Sequence, residues 1–231
     1  MPLRCAARGS PSVVATRRRV GSIYVLAGTN GAGKSSLLGE MLRLAGTEHF
    51  NPDAVARRLG LHNPGASSEA LNATAWEEGR KLLERAIRDR LNFAFETTLG
   101  GGTIPRMLAE AARSGVEVRV WYIGLASAEH HLARVRARVK KGGHDIPEAK
   151  IRERFDRGRE NLIALLPVLT ELRLLDNTWE ADPDAGQAPR PKLVLHLRRR
   201  EVAKLMKLSK VPAWAKPIVM AALRLSQMGD A

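Results

Sequence analysis

A glycine-rich loop at residues 28–35 has the pattern G-x-x-x-x-G-K-S, which is typical of a phosphate-binding loop. Its glycines reach backbone angles that place successive N–H groups around a phosphate. Lys34 would reach the β- and γ-phosphates of a nucleotide, and the Ser35 hydroxyl would take one Mg²⁺ position. The loop therefore predicts binding of ATP with Mg²⁺ by the following residues: Gly28, Thr29, Asn30, Gly31, Ala32, Gly33, Lys34 and Ser35.

The sequence on both sides of the loop has the strand–loop–helix order that such a site requires. An apolar run at residues 22–27 precedes the loop, and residues 36–44 repeat apolar side chains at helical spacing. A helix that starts there adds the positive end of its dipole to the phosphate site. The alternative is a glycine-rich turn with a chance Lys-Ser pair, and the flanking segments argue against it.

Other polar side chains follow predicted strand ends. Asn51 and Asp53 come after a short strand candidate, and Glu96 and Thr97 come at the end of a buried strand run. Because ligands bind at the carboxyl ends of parallel strands, we expect these side chains to meet the phosphate loop, with Asn51, Glu96 and Thr97 contacting the substrate. Two alternatives stay open: Asp53 could serve only as a helix N-cap, and Glu96 with the threonines after it only as a strand terminus with hydroxyl turns.

Phosphoryl transfer needs a phosphate cradle, Mg²⁺, a carboxylate base and cations on the developing charge. Asp53, at the end of the second strand, is the best-placed base. The Asp that completes many ATPase sites on a hydrophobic strand is missing, because Glu117 is the only acid within residues 116–125. This absence argues against a motor-type ATPase and favours a small-molecule kinase.

The cations would come from two Arg-rich helices around a lid-like region at residues 138–146. Most of these arginines must lie on solvated faces, but one or two near the lid could swing over the phosphates. His144 lies within the lid, where a substrate contact and an ordinary surface histidine are both open. The candidate cations are Arg134, Arg136, Arg138, Lys140, Lys141, Arg152, Arg154, Arg157 and Arg159.

The order of predicted elements indicates an α/β fold of the P-loop NTPase class, similar to nucleoside kinases, with a parallel sheet and helices on both faces. Strands are predicted over 22–27, 48–50, 92–96, 116–125 and 171–175, with residues 192–197 as a last strand or an edge hairpin. Helices are predicted over 34–45, 53–59, 69–91, 104–114, 128–140 and 147–166 (with Pro147 as the first helical residue), followed by a basic helix at 198–208 and a segment at 212–228.

The net charge of +14 lies mainly in the two ends of the chain. Residues 1–20 carry five Arg and no acid, and residues 190–216 carry nine Lys or Arg against one acid. We expect a disordered basic extension over 1–20, a kinase core over 21–180, and a basic extension of the same domain over 181–231. The basic ends could bind nucleic acid, which is not favoured, an anionic membrane or an acidic partner, or could be solvated tails.

No apolar run approaches the ~20 residues of a membrane span, and the single Cys5 excludes a disulfide framework. Residues 1–20 lack the apolar core of a secretory signal, and their similarity to a transit peptide is superficial. We therefore expect a cytoplasmic protein without a membrane span.

Five motifs follow one another along the chain, at residues 26–35 (LAGTNGAGKS), 50–53 (FNPD), 95–99 (FETTL), 142–147 (GGHDIP) and 150–155 (KIRERF). Together they resemble the zeta toxin family, and more closely its stand-alone "predicted ABC-type ATPase" branch. The resemblance covers about residues 22–178 and implies a nucleoside-kinase-like P-loop domain. The best-studied members use ATP and Mg²⁺ to phosphorylate the 3′-hydroxyl of the amino sugar in UDP-N-acetylglucosamine, and toxin members have an antitoxin partner.

The resemblance also implies roles for individual residues. Lys34 and Ser35 match the lysine and hydroxyl residue of the family's phosphate loop, and Asp53 matches its general base. Glu96 and Thr97 match an acidic and hydroxyl pair that contacts the substrate.

The two lid arginines of the family match less directly. Arg138 corresponds to the first, and the second falls near His144 or Arg154, because the Gly-Gly-His run at residues 142–144 replaces the spacing found in the toxins.

Two other classes of function stay open. A nucleic-acid-associated ATPase would use the basic ends as its binding surface, although aromatic residues for base stacking make up only 4% of the chain. A non-catalytic module would bind a nucleotide and signal lid closure through the C-terminal helices.

Overall fold

The computed structural model describes residues 20–34, 37, 39, 41, 43, 46, 49–143, 145–179 and 191–228. Ser35, the predicted Mg²⁺ ligand, and His144, a predicted substrate contact, lie outside the described residues. So do residues 1–19, 180–190 and 229–231, and much of the helix predicted over 34–45.

A seven-stranded sheet forms the centre of the molecule, with the strand order β2-β3-β1-β4-β5-β6-β7. The first five strands run parallel, whereas β6 and β7 form an antiparallel hairpin at one edge. The predicted α/β fold class is confirmed, and the sheet is mixed rather than wholly parallel. The strands are β1 (Ser22–Ala27), β2 (His49–Phe50), β3 (Phe93–Thr97), β4 (Glu117–Gly124), β5 (Glu171–Asp176), β6 (Lys192–Arg198) and β7 (Glu201–Leu205).

The prediction of a basic helix over residues 198–208 is wrong, because β7 occupies most of this segment. Arg199 and Arg200 form the tight hairpin turn, with φ angles of 46° and 74°. β7 then pairs with β6, and Val202 and Leu205 pack against the main apolar core. Tertiary pairing and packing therefore override the local preference of the segment, as is common for edge strands.

Six α-helices lie wholly within the described residues, and those predicted between residues 53 and 166 are present with ends shifted by about three residues or fewer. Pro147 occupies the N-cap position of its helix rather than the first helical position. None of the helices in the described ranges is both long and apolar enough to cross a membrane. The helices are α1 (Pro52–His62), α2 (Ser68–Arg88), α3 (Thr103–Arg113), α4 (Ala128–Lys140), α5 (Glu148–Leu165) and α6 (Lys216–Gln227).

The sheet is apolar on both faces near the carboxyl ends of its central strands. On one face, Val25, Val120 and Leu172 are fully buried against helix residues such as Leu162 and Ile218. On the other face, a smaller cluster packs against Leu37 and Met41, which follow the glycine-rich loop, and comprises Leu26, Ala94, Trp121, Ile123 and Leu175. Burial on both faces makes the central strands a rigid platform for the loops at their ends.

A cluster of charged and polar side chains links β6, the first strand of the edge hairpin, to β4 and β5. Glu171 on β5 accepts hydrogen bonds from Arg119 on β4 at 2.8 Å, from Arg173 at 3.1 Å and from His196 on β6 at 2.9 Å. Burial alone would raise the pKa of Glu171, but the hydrogen bonds from Arg173, His196 and Arg119 outweigh it and hold the pKa below its usual range. The carboxylate is therefore a stabilising anion across three strands.

We expect Glu171→Gln to lower the free energy of unfolding by about 1–3 kcal/mol at pH 7, because its cationic partners lose their carboxylate. A carboxyl with a depressed folded pKa stabilises the fold above its unfolded pKa of about 4.3, and this contribution is lost as the pH falls through the folded pKa. Urea unfolding from pH 7 to pH 3 should show the difference from wild type shrinking. Glu110→Gln, at an exposed helix position, is the control. Equal stability of Glu171→Gln and wild type at pH 7 would contradict this role.

Candidate phosphate-transfer site

The glycine-rich loop follows β1 and has the backbone geometry of an anion cradle. Gly28, Gly31 and Gly33 have φ angles of 141°, 81° and 86°, which side chains rarely tolerate. A Cβ on Gly28 would lie 2.3 Å from the carbonyl oxygen of Ile123 on β4. The glycines are therefore required by conformation and by the closeness of neighbouring backbone.

Three neighbouring elements hold the loop in place. The N–H of Gly28 donates to the carbonyl of Thr97 at 3.2 Å. Asn177, directly after β5, donates from Nδ2 to the carbonyl of Ala32 at 2.9 Å. His131 on α4 is buried, which lowers its pKa to about 4, so the neutral ring donates from Nδ1 to the carbonyl of Asn30 at 2.9 Å.

The sequence reasoning missed Asn177 and His131 as loop-positioning residues. The position of Asn177 at a strand end was a usable signal, because the carboxyl ends of parallel strands share one edge. His131 lies on the apolar stripe of a helix, where the sequence carries no such signal.

We expect Gly33→Ala to lower ATP affinity about 10–100-fold, from backbone strain and displacement of a neighbour. A Cβ at this position would lie 2.4 Å from Asn177 Nδ2, and the φ angle of 86° disfavours any side chain. Gly39→Ala is the matched control, because a Cβ there meets nothing within 4 Å. Calorimetric titration with ATP measures the effect, and equal affinities of the two variants would show that the loop does not need this conformation.

Lys34 lies at the centre of the site. Its Nζ donates to the carbonyl of Gly28 at 2.8 Å. Burial lowers the pKa of Lys34, the charges of Glu96 and Asp53 oppose this effect, and those of Arg138 and Arg154 add to it. The structure thus brings together five of the predicted site residues. An anionic phosphate in the loop would favour the charged form of Lys34.

Asp53 lies in the first turn of α1, and its carboxylate is not the helix cap. Asn51 is the N-cap, and its Oδ1 accepts from the N–H of Ala54 at 3.2 Å, while Pro52 opens the helix. The capping alternative for Asp53 is therefore wrong. The Asp53 side chain is exposed and lines both cavities of the site, and no described residue donates a hydrogen bond to its carboxylate.

Glu96 is buried at the end of β3, with a relative exposure of 9%. Burial raises its pKa, the charge of Lys34 opposes this effect, and that of Asp53 adds to it. Asn51 Nδ2 donates to Glu96 Oε1 at 3.1 Å, so the Asn51 amide is shared between helix capping and orientation of Glu96. Thr97 Oγ1 accepts from the N–H of Leu99 at 3.1 Å, which confirms the hydroxyl turn and leaves its proton available for donation.

Both helices around the lid contribute arginine side chains to the site. A small apolar cluster of Leu132, Val135, Ile146 and Ile151 fixes α4 against α5. Arg154 on α5 donates to the Asn30 side chain at 2.8 Å and packs on Gly100, and Arg138 on α4 lies against Gly143 beside the loop.

Other basic residues of these helices have different roles. Arg134 donates to the carbonyl of Asn177 at 2.7 Å, which supports the segment that holds the loop. Arg136 and Arg152 pair with acids on the outer surface, as expected for a solvated face. The half-buried Arg159, by contrast, pairs with Asp156 and lies over the Phe155 ring.

Two cavities meet at these residues. The first, of about 830 Å³, contains the glycine-rich loop and Arg138. The second, of about 630 Å³, lies between α2 and the β3–α3 loop and contains Trp76, Thr97 and Arg154. Both are lined by Asn30, Lys34, Asn51, Asp53, Asn72 and Glu96. Asn72 on α2 was not predicted, because nothing in its local sequence distinguishes it from other exposed helix residues.

A parallel five-stranded core with a lysine-bearing glycine loop after its first strand defines the P-loop NTPase fold. The chain belongs to the family described as "AAA domain", whose model matches residues 23–162. A Haemophilus influenzae protein, described as "Uncharacterized protein", is 34% identical over 140 residues, covering 55% of this chain and 88% of the relative.

Solved structures share the fold at low sequence identity. A chain from the AvrRxo1-ORF1:-ORF2 structure with ATP matches with a TM-score of 0.59 and 17% identity, covering 87% of this chain and 63% of that chain. This chain thus spans less than two thirds of that protein. A chain of the PezAT chromosomal toxin–antitoxin system of Streptococcus pneumoniae matches with a TM-score of 0.55 and 14% identity, covering 92% and 90%. These matches confirm the resemblance to zeta toxins at the level of the fold.

Proposed function

We propose that the protein is an ATP- and Mg²⁺-dependent phosphotransferase that phosphorylates a hydroxyl group of a small molecule. The observation that carries this proposal is the position of Lys34, Asp53 and Glu96 on the boundary shared by the two cavities. A phosphate donor on the glycine-rich loop and an acceptor in the second cavity would meet there. The ATP in the related AvrRxo1 structure supports the choice of donor.

In the proposed reaction, the acceptor oxygen attacks the γ-phosphorus of ATP and its proton passes to the Asp53 carboxylate. The bond from phosphorus to the β-phosphate oxygen breaks, and ADP leaves. Lys34, Arg138 and Arg154 stabilise the negative charge on the transferred group. Glu96 and Thr97 orient the acceptor by accepting and donating hydrogen bonds.

The residues of the site fit Mg²⁺. The described residues contain no group of three or more His, Cys, Asp and Glu that could hold a metal. Mg²⁺, however, commonly needs only one or two protein oxygens beside substrate phosphates and waters. The Ser35 hydroxyl is an oxygen donor of this kind, and the ATP phosphates and waters would supply the other ligands. When bound, the ion would neutralise charge on the phosphates of ATP.

UDP-N-acetylglucosamine is the first acceptor to test, because the zeta toxin resemblance implies it. The PezAT match comes from a toxin–antitoxin system, so an antitoxin is a candidate partner. We expect the proposed reaction to take place in the cytoplasm. We assign the kinase core to residues 21–180 and treat 181–231 as an extension of the same domain, because β6 and β7 continue its sheet.

The decisive experiment measures ATP consumption by the purified protein with and without UDP-N-acetylglucosamine and reads the product by mass spectrometry. Gain of one phosphoryl group on the sugar nucleotide, lost in Asp53→Ala, would establish both the reaction and the acceptor. ATP binding without this product would move the search to other sugar nucleotides and nucleosides. ATP hydrolysis that only RNA or DNA stimulates, with steep salt dependence, would overturn the small-molecule kinase.

A further inference from the structure

Strand β2 places a second side chain, besides Asn51, against Glu96. In the parallel pairing with β3, His49 stands beside Ala94 and Phe50 beside Phe95. Side chains alternate between the faces of a sheet. His49 and Asn51 therefore lie on the same face of the sheet as Glu96. They flank Phe50, which pairs with Phe95 and belongs to the opposite face.

Both residues contact the same oxygen of Glu96. Asn51 Nδ2 lies 3.1 Å from Oε1, and His49 Nε2 lies 3.5 Å from it. The side chains of His49 and Glu96 are only 8% and 10% exposed, and His49 Nε2 has no hydrogen-bond partner in the described structure. A distance of 3.5 Å is the outer limit of a hydrogen bond, so a shift of about half an ångström completes it. No described residue makes such a contact with Oε2.

We propose that His49 is a positioning residue that donates from Nε2 to Glu96 Oε1 and so directs Oε2 toward the acceptor. The inference rests on the proposed phosphotransferase function, in which Glu96 contacts the acceptor. Asn51 and His49 together fix the rotation of the carboxylate. A buried polar atom without a partner is costly, which favours closing this contact over leaving His49 as a packing residue.

The charges around the pair favour a neutral donor. Burial lowers the pKa of His49, so the ring is uncharged at pH 7 and carries its proton on one nitrogen. Glu96 also faces Lys34 from the loop and Asp53 from α1. A neutral N–H stabilises ionised Glu96 without adding a positive charge that would repel Lys34. Removal of the donor should therefore raise the pKa of Glu96 further.

We expect His49→Leu to raise the titration midpoint of Glu96, whereas His49→Gln, which keeps an N–H donor, should stay near wild type. Labelling glutamate with ¹³C at the carboxyl group reports this midpoint by NMR, and Glu96→Gln identifies the resonance. His62→Leu, at an exposed histidine in the last turn of α1, is the matched control. If His49→Leu fails to fold, His49→Phe gives the same comparison with a ring retained.

The same variants are then assayed with ATP and UDP-N-acetylglucosamine. His49→Leu should raise the KM for the acceptor about 10-fold, with the KM for ATP unchanged, and His49→Gln should restore it. The acidic limb of the pH–rate profile should move to higher pH in His49→Leu alone. A Glu96 midpoint identical in His49→Leu, His49→Gln and wild type would overturn the role of His49. Absence of acceptor phosphorylation by wild type would instead count against the proposed function, because the NMR comparison does not depend on turnover.

Discussion

Replacement of Asp53 by asparagine should reduce phosphoryl transfer by about 10²–10⁴-fold, the usual contribution of a general base. The amide has nearly the shape of the carboxylate but cannot accept a proton from the acceptor hydroxyl. ATP affinity should change by less than about threefold, because the Asp53 side chain caps no helix and the glycine-rich loop is held by other residues. Single-turnover transfer and calorimetric ATP binding measure the two quantities separately.

Glu78→Gln is the matched control for Asp53→Asn. Glu78 is an exposed acid on α2 that lines neither cavity of the site. Transfer by Glu78→Gln should stay within about twofold of wild type. Turnover of Asp53→Asn at the wild-type rate would remove Asp53 from the mechanism and leave Glu96 as the candidate base.

Replacement of Lys34 by alanine should weaken both ATP binding and transfer. A charge-assisted hydrogen bond contributes about 1.5–3 kcal/mol, which corresponds to about 10–150-fold in affinity. Loss of a donor that stabilises charge in the transition state costs a further ~10²–10³-fold in turnover. The loss of turnover should therefore exceed the loss of affinity, which distinguishes Lys34 from a residue that only binds ATP.

Lys81→Ala, at an exposed lysine on α2 that pairs with Glu77, controls for a general loss of positive charge. Thermal unfolding without nucleotide shows whether Lys34→Ala still folds, since the variant loses the hydrogen bond to Gly28. Full activity of a folded Lys34→Ala protein would refute the whole site, because Asp53 and Glu96 are arranged around this ammonium group.

The glycine-rich loop could be located from the sequence because its chemistry is local. Eight consecutive residues supply the backbone conformation, the lysine and the start of a helix, so their order alone specifies most of the cradle. Gly28 and Gly33 each require glycine for two reasons: the φ angle is positive, and an added Cβ would collide with a neighbouring atom. The same local reasoning found the strands and helices of the core, whose apolar periodicity is strong.

The residues that hold the loop and the carboxylate come from distant parts of the chain. Asn177 reaches the loop from 145 positions away, and His131 from 101 positions away. His49 and Asn72 face the site because of strand register and helix placement, not because of neighbouring residues. The helix predicted over 198–208 was wrong for the same reason, since the pairing partner of β7 is a separate strand.

The sequence alone determined the phosphate loop, the class of fold and the candidate carboxylates, because backbone conformation and strand ends leave local patterns. Only the tertiary structure decided which polar residues meet. The strand order β2-β3-β1-β4-β5 places Asp53 and Glu96 beside Lys34, and it brings the Asn51 amide, which also caps α1, against Glu96. Electrostatic and hydrogen-bond energies depend on distance through space, and a linear pattern does not specify that distance for residues joined only by packing.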